Sequence, residues 1–241
     1  MPPLITIWAM RYKPTNNYLR RSPLTNKAID LNPDYATAYY NLGNALQANQ
    51  QLPEAIAAYQ KAINLKSDDA DAYIGLGNAL SDNQQLPEAI AAYQKAIDLK
   101  SDDADAHNGL GWVYLLKGEL EQAKVQFETA IQLDANYYSP VLNLGLVYAL
   151  QGDQEETRNY KQRGLALWKE TDDWDEANQA LCIFALGEPE QGMAEMQAVI
   201  QSGISVEILK DALKGAEMLV RCPVKPEGID QMVEMLRGAI H

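Results

Sequence analysis

The stretch PEAIAAYQKAI stands at Pro53–Ile63 and again, letter for letter, at Pro87–Ile97. Around this stretch, residues 36–69 and 70–103 align without gaps at an offset of 34 residues. A third copy at 104–137 and a fourth at 138–171 follow at the same spacing. The first two copies differ at only six positions. A fixed period of this length is typical of a short helical or mixed unit that is stacked on copies of itself.

The apolar residues within each unit have helical spacing. In the first unit, one helix face is formed by residues at i, i+3, i+4 and i+7, namely Tyr39, Leu42, Gly43 and Leu46. After a polar break, Pro53 stands in the first turn of a second helix, where its missing N–H is not needed. Ala55, Tyr59 and Ala62 form the apolar stripe of that helix. Each unit is therefore predicted to be a pair of antiparallel helices that buries its apolar faces only by stacking.

These units resemble the tetratricopeptide repeat, whose pattern has a large residue, Leu-Gly, an aromatic residue or Leu, and then Ala, an aromatic residue and Ala. The second unit supplies this pattern with Tyr73, Leu76-Gly77, Leu80, Ala89, Tyr93 and Ala96. The fourth unit departs from it in its second helix, which carries Thr157, Lys161 and Gly164 and is expected to pack differently. The resemblance implies an all-α fold, a right-handed superhelical solenoid of stacked antiparallel helix pairs with degenerate pairs at the C-terminus.

The four units are predicted to be flanked by weaker segments: an irregular N-terminal arm at residues 1–21, a partial repeat helix at 22–35, and degenerate repeat-like pairs or a cap at 172–241. The last segment is predicted from Met196 and Met232, which take the place of the second-helix aromatic residue in pairs near 173–206 and 209–241. A separate small helical bundle after Thr171 is the alternative.

Composition argues against several classes of protein. The 241 residues include 33 acidic and 20 basic ones, a net charge of -13, which disfavours nucleic-acid binding. Two Cys and two His provide neither a disulfide framework nor a histidine-rich metal centre. No phosphate-binding loop, zinc-protease motif or Cys pair at metal spacing occurs. We therefore predict no enzyme activity, no catalytic residues, no metal and no cofactor. The lack of a membrane-length apolar run and of a signal-like start predicts a cytoplasmic protein without membrane insertion.

The resemblance also implies a concave groove lined by the first helix of each unit. It assigns these residues to the groove as a peptide-binding site: Tyr40, Asn41, Asn44, Ile74, Asn78, Asn108, Trp112, Leu115, Leu142 and Asn143. The asparagines are predicted to hold the backbone of an extended peptide; alternatively, Asn44 and Asn78 were inherited together by duplication and simply face water. Trp112 and the leucines are predicted to form an exposed apolar anchor, unless later helix pairs cover them.

Acidic residues cluster where one unit joins the next, at Asp68-Asp69-Asp71 and Asp102-Asp103-Asp105. They are predicted to cap the following helix, and their charge favours partners with basic residues. Residues 1–35 carry five basic and two acidic residues, a net charge of +3, and the remainder carries 15 basic and 31 acidic residues, a net charge of -16. The N-terminal arm is therefore expected to fold against its own or a neighbour's acidic groove.

The sequence thus predicts a non-catalytic scaffold or adaptor that binds a peptide or protein segment with basic and apolar residues, with a role in complex assembly. Two alternatives stay open at this point. One is a structural repeat protein that self-associates into homo-oligomers, and the other is a regulatory fragment of a larger enzyme.

Overall fold

The structure is a computed structural model that describes residues 28–169, 189–203, 213, 216 and 228–240. The predicted N-terminal arm lies outside the described residues. Of the predicted partial repeat helix, the described part contains a helical turn at 28–31.

All regular secondary structure in the described ranges is helical: α1 (Ala36–Ala48), α2 (Leu52–Leu65), α3 (Ala70–Asp82), α4 (Leu86–Leu99), α5 (Ala104–Lys117), α6 (Leu120–Leu133), α7 (Tyr138–Gln151), α8 (Gln154–Lys169), α9 (Pro189–Gln201) and α10 (Ile229–Ile240). The contacts divide these helices into two compact units, with α1 to α6 within residues 14–135 and α7 to α10 within residues 136–241. Within the compact unit of residues 14–135, each helix packs on the next one. The first helices of successive pairs also contact each other directly, α1 with α3 and α3 with α5. The predicted all-α architecture of stacked helix pairs is confirmed.

The turn inside each pair has one shape, although its sequence changes. The chain leaves the first helix through a residue with positive φ, which is Gln50 in the first pair, Gln84 in the second, Gly118 in the third and Gly152 in the fourth. Pro53 then stands in the first turn of α2, as the sequence predicts. Because glycine reaches positive φ without strain, the third and fourth turns form at lower cost than the first two.

An aromatic ring fills the space that glycines leave between the helices. The ring of Tyr59 on α2 lies against both Gly43 of its own pair and Gly75 of the next pair; a Cβ atom at these positions would lie 2.6 Å and 2.5 Å from Cε1 of the ring. The ring of Tyr93 covers Gly77 in a similar way, with a corresponding distance of 2.9 Å. The contact with Gly75 joins the first pair to the second, whereas the contacts with Gly43 and Gly77 close each helix pair internally.

The fourth pair, α7 and α8, is closed by aromatic stacks instead of a central aromatic ring. Lys161 stands where the other pairs have Tyr or Phe, and it is buried. Tyr148 stacks on Tyr160 with ring centroids 5.4 Å apart, and Tyr138 stacks on Trp168 with centroids 5.7 Å apart. The expected departure from ordinary packing is therefore present, but α8 remains closely packed on α7.

The C-terminal helices α9 and α10 share an apolar core. Met196 and Met232, which the sequence analysis placed in the aromatic position of degenerate pairs, are both fully buried in it. Val199, Ile229 and Leu236 complete the contact. The predicted first helices of these two pairs lie largely outside the described residues, so repeat-like pairs, a cap and a separate bundle all remain as predictions.

Candidate functional site

The residues that the sequence assigns to a groove lie on one stripe of the first helices, which we call the first-helix face. It comprises residues 37, 40, 41, 44, 47 and 48 of α1, residues 71, 74, 75, 78, 81 and 82 of α3, and residues 105, 108, 109, 112, 115 and 116 of α5. The spacing within each set is i, i+3, i+4, i+7, i+10 and i+11, which is one side of a helix. Because α1 contacts α3 and α3 contacts α5, the three stripes follow one another in one unit.

The first-helix face is accessible on α1 and α3. Asn41 and Asp71 are exposed, while Tyr40, Ile74 and Asn78 are half-buried, as is Asn44. Tyr40 leans against Tyr59 with ring centroids 6.0 Å apart, so part of its ring serves the core. A ligand on this side of the molecule therefore meets residues of the first two units.

On α5 the centre of the same face is buried, although Asp105 is exposed and Leu116 half-buried, and the prediction of an exposed apolar anchor is wrong. Trp112 is 3% exposed, Leu115 is 1% exposed, and Asn108 is completely buried. The physical reason is that large apolar side chains such as Trp112 and Leu115 are more stable out of water, and the fold covers them. These three residues are not accessible to a ligand in the folded chain.

The predicted groove residues of the fourth pair are buried as well. Leu142 is fully buried and Asn143 is 2% exposed. Leu142 points into its own helix pair, because a Cβ atom at Gly164 would lie only 2.5 Å from its Cδ2 atom. The missing side chain of Gly164 makes room for Leu142, so this leucine does not contribute an apolar surface for a ligand.

Hydrogen bonds that the sequence analysis did not foresee orient the asparagines of the first two units. The hydroxyl of Tyr59 donates to Asn44 Oδ1 at 2.6 Å, and the hydroxyl of Tyr93 donates to Asn78 Oδ1 at 2.5 Å. The view that both asparagines simply face water is therefore wrong. A signal exists in the sequence, since this Asn and this Tyr, 15 residues apart, are replaced together in the third unit by Trp112 and Phe127.

A buried glutamine extends this arrangement from the first unit to the second. The Tyr59 hydroxyl also donates to Gln47 Oε1 at 3.0 Å, and Gln47 Nε2 donates to Asp82 Oδ2 at 2.6 Å. Gln47 is only 2% exposed and is hydrogen-bonded at both ends of its amide. A continuous polar path thus joins Asn44 on α1, through Tyr59 and Gln47, to the Asp82 carboxylate on α3.

The two tyrosines provide a matched test of these bonds. Tyr59→Phe removes a hydroxyl whose single proton is shared between Asn44 Oδ1 and Gln47 Oε1, and Tyr93→Phe removes a hydroxyl that donates to Asn78 Oδ1, while both rings remain. We expect Tyr93→Phe to lower the free energy of unfolding by about 1 kcal/mol and Tyr59→Phe to lower it by about 2 kcal/mol, because Tyr59→Phe also leaves the amide oxygen of the buried Gln47 without a donor. Denaturant unfolding followed by circular dichroism measures both. Equal losses would contradict the extra bond to Gln47.

At each of the first two junctions between repeats, a lysine forms an ion pair with an aspartate. Lys66 Nζ lies 3.1 Å from Asp69 Oδ2, and Lys100 Nζ lies 2.8 Å from Asp103 Oδ2. In each pair the hydrogen bond to the carboxylate, together with its negative charge, raises the pKa of the lysine above its usual value.

Asp103 also caps α5, because its Oδ1 accepts from the backbone N–H groups of Asp105 and Ala106, whereas Asp69 makes no such bond to α3. The predicted capping role is confirmed for α5 and wrong for Asp69.

The described residues contain no group of three or more His, Cys, Asp or Glu that could hold a metal ion. Over the same residues, no helix combines the length and the apolar character that crossing a membrane requires.

Stacked pairs with these glycine–aromatic contacts define a helix-pair repeat protein. Residues 26–50, 48–84 and 77–118 match a model of the TPR repeat, and residues 104–137 match a second model, the tetratricopeptide repeat. Residues 26–137 of this chain therefore match the tetratricopeptide repeat.

Solved structures of similar proteins agree with this. The crystal structure of MamA is 27% identical, with a TM-score of 0.55, over 62% of this chain and 88% of that one. The structure of YrrB, described as a TPR protein with an unusual peptide-binding site, is 25% identical, with a TM-score of 0.51, over 66% of this chain and 81% of that one. TTC0263, a thermophilic TPR protein of Thermus thermophilus, shares the fold at 19% identity and a TM-score of 0.63, over 77% of this chain and 99% of that one. No curated protein matches the sequence significantly.

Proposed function

We propose that this chain is a non-catalytic interaction scaffold that binds an extended segment of a partner protein across the first-helix face of α1 and α3. One observation carries the proposal. Of the six positions at which the duplicated units differ, five lie on this face: Thr37/Asp71, Tyr40/Ile74, Asn41/Gly75, Gln47/Ser81 and Ala48/Asp82. The sixth difference, Asn64/Asp98, lies on the second helix of each pair.

General tolerance of surface positions does not account for this distribution. Apart from Asn64 and Asp98, the exposed residues on the second helices are unchanged between the two units, as with Gln60 and Gln94 or Lys61 and Lys95. Some of the differences serve packing, since Gly75 leaves room for the Tyr59 ring. The concentration on one stripe nevertheless favours a face whose two halves contact different parts of the same ligand.

The face offers apolar contact, amide hydrogens and negative charge. Tyr40 and Ile74 supply half-buried apolar surface. Because the Tyr93 hydroxyl occupies Asn78 Oδ1, the amide of Asn78 offers its N–H groups, which suit a peptide carbonyl. Neither α1 nor α3 contains Lys or Arg, whereas α3 contains Asp71 and Asp82. We therefore propose a partner segment with basic and apolar residues, bound in the cytoplasm during the assembly of a complex.

A site-specific crosslinking experiment tests the proposal. A photoreactive amino acid is placed at Asn41, exposed on the first-helix face, or at Gln60, exposed on α2, and the full chain is irradiated in its native lysate. We expect a discrete adduct from Asn41 and none from Gln60, because only the first-helix face holds a partner.

The mass of the adduct separates the alternatives. An adduct with the mass of two copies of this chain would favour the self-associating repeat protein over the scaffold. Equal adducts from both positions, or none from Asn41, would overturn the proposed function.

A further inference from the structure

Part of the first-helix face of α1 and α3 is already engaged by the chain itself. Asp82 Oδ2 accepts from Gln47 Nε2 at 2.6 Å, and Gln47 is held in turn by the Tyr59 hydroxyl. Asp82 also makes a further interaction with the rest of the chain, as do Tyr40 and Asn44. These three residues are half-buried and are linked through Tyr59, so a single segment can contact all of them.

The lysines of residues 28–135 lie against groups other than Asp82. This range contains six Lys and no Arg. Five of the lysines have other neighbours: Lys61 lies over the Tyr39 ring, and the ion pairs are Lys66–Asp69, Lys100–Asp103, Lys117–Glu119 and Lys124–Glu128. The sixth, Lys95, has the repeat position of Lys61 and is therefore expected beside Tyr73. Tyr73 precedes Asp82 by nine residues in α3, which is about 14 Å along the helix.

The compact unit that contains α1 to α6 starts at residue 14, so residues 14–27 are its remaining source of positive charge. Residues 14–21, PTNNYLRR, end in Arg20 and Arg21 and contain no acidic residue. Their charge is opposite to that of the first-helix face, which carries aspartates and no Lys or Arg on α1 and α3. Tyr18 and Leu19, directly before the arginines, match the half-buried apolar surface of that face.

The segment is also tethered close to this face. Only residues 22–27 separate it from the helical turn at 28–31, and α1 begins at Ala36. Six extended residues span up to about 20 Å, which is about twice the spacing of 8–10 Å between packed helices. A short tether of this kind gives an effective concentration of about 1 mM at the face. A partner segment therefore has to compete with it.

We infer that residues 14–21 occupy the first-helix face of α1 and α3 in the free chain and place Arg20 or Arg21 beside Asp82. The partner segment binds by displacing them, so the N-terminal arm regulates access to the face. This inference rests on the proposed function and adds its regulation. It assigns the face to the chain's own segment, whereas the sequence alone left a neighbouring copy equally open.

Photocrosslinking of the dilute full chain tests the occupant. Benzoylphenylalanine replaces Tyr18 or, as the matched control, Tyr12, which precedes residue 14. Mass spectrometry then identifies the crosslinked peptides. We expect residue 18 to crosslink within one chain to residues 36–48 or 70–82, and residue 12 not to do so. Equal yields from both positions, or residue-18 adducts only with a second copy or only with other helices, would overturn the inference.

Two double variants of the full chain measure the competition. Arg20→Gln/Arg21→Gln and Arg11→Gln/Lys13→Gln each remove two positive charges from the N-terminal arm, but only the first pair lies in residues 14–21. The probe is a capped, fluorescein-labelled peptide with the sequence of residues 14–21. A peptide with Gln in place of both arginines is its control. Affinities are measured by fluorescence anisotropy.

We expect Arg20→Gln/Arg21→Gln to bind the probe about tenfold more tightly than the parent chain, because its own segment competes less well for the face. Arg11→Gln/Lys13→Gln should stay within about twofold of the parent. The Gln peptide should bind the Arg20→Gln/Arg21→Gln chain about tenfold more weakly than the probe, because it lacks the ion pair. A probe that binds the parent and both variants equally, or binds none of them, would overturn the inference.

The failure of this inference is distinguishable from failure of the proposed function. The photoreactive residue at Asn41 is introduced into both the parent and the Arg20→Gln/Arg21→Gln chain, and the second should give the larger partner adduct. Partner adducts of equal yield, with residue-18 crosslinks away from α1 and α3, would overturn the inference alone. Internal crosslinks from residue 18 to α1 or α3, with no Asn41 adduct to a partner in either chain, would support the internal ligand and overturn the scaffold.

Discussion

Replacement of Trp168 by Ala is expected to lower the free energy of unfolding by about 3–5 kcal/mol. Trp168 is among the largest fully buried side chains of the described residues, at 1% exposure. Its ring stacks on Tyr138 with centroids 5.7 Å apart and an interplanar angle of 18°. Alanine would leave a cavity between the start of α7 and the end of α8, and its cost adds to the lost burial of the ring. Denaturant unfolding followed by circular dichroism measures the loss.

This large effect follows from how the fourth pair departs from the repeat. Trp168 occupies the position of Lys66 and Lys100, and Tyr138 occupies the position of an alanine in the first three units. The helix α8 has 16 residues, against 14 in α2, α4 and α6, so it reaches far enough to bring the two rings together. The stack is thus an addition at the end of the pair, while Gly145, at the position of the glycine that faces the central aromatic ring in other pairs, is met by Tyr160.

Tyr35→Ala is the control for Trp168→Ala, because Tyr35 is an aromatic residue that is 47% exposed. We expect it to cost less than about 1 kcal/mol. A similar small loss for both variants would mean that the Tyr138–Trp168 stack does not hold α7 and α8 together. An additional transition at low denaturant in Trp168→Ala alone would assign the loss to the compact unit within residues 136–241.

The helix pairs were predictable because they depend on local and repeated signals. The period of 34 residues is visible when units are compared, and the apolar stripes and Pro53 in the first turn of α2 are visible within one unit; the structure confirms the helix pairs they predict. The exposure of the first-helix face was not predictable in this way. The repeat pattern assigns Trp112 to a face of α5, but its burial depends on residues that are distant in sequence.

The polar contacts were missed for a related reason. The bond from Tyr59 to Asn44 joins residues 15 apart, and the bond from Gln47 to Asp82 joins residues 35 apart on different units. Each residue taken alone has an ordinary explanation, as a space-filling aromatic or a surface amide. Only the replacement of both residues together, as in the third unit, distinguishes a hydrogen-bonded pair from two independent residues. Recognising that replacement as the sign of a hydrogen bond requires the distances in the structure.

Gly75→Leu is expected to lower the free energy of unfolding by about 3 kcal/mol or more, at the upper end of the cost of overpacking. A Cβ atom at residue 75 would lie 2.5 Å from Cε1 and 2.9 Å from Cζ of Tyr59, so the ring would have to move. That movement would break the hydrogen bonds from the Tyr59 hydroxyl to Asn44 and Gln47. The measurement is again denaturant unfolding of the full chain.

Gly238→Leu is the matched control, because Gly238 is also inside a helix and a Cβ atom there meets nothing within 4 Å. Since leucine favours helix more than glycine does, we expect this variant to be as stable as the parent or more stable by about 0.5–1 kcal/mol. Combining Gly75→Leu with Tyr59→Ala should cost less than the sum of the two single losses, because the smaller residue at 59 makes room for the leucine. Additive losses would mean that the Tyr59 ring does not limit the space at residue 75. The ring would then not be what fixes Gln47, and the orientation of the Asp82 carboxylate would need another source.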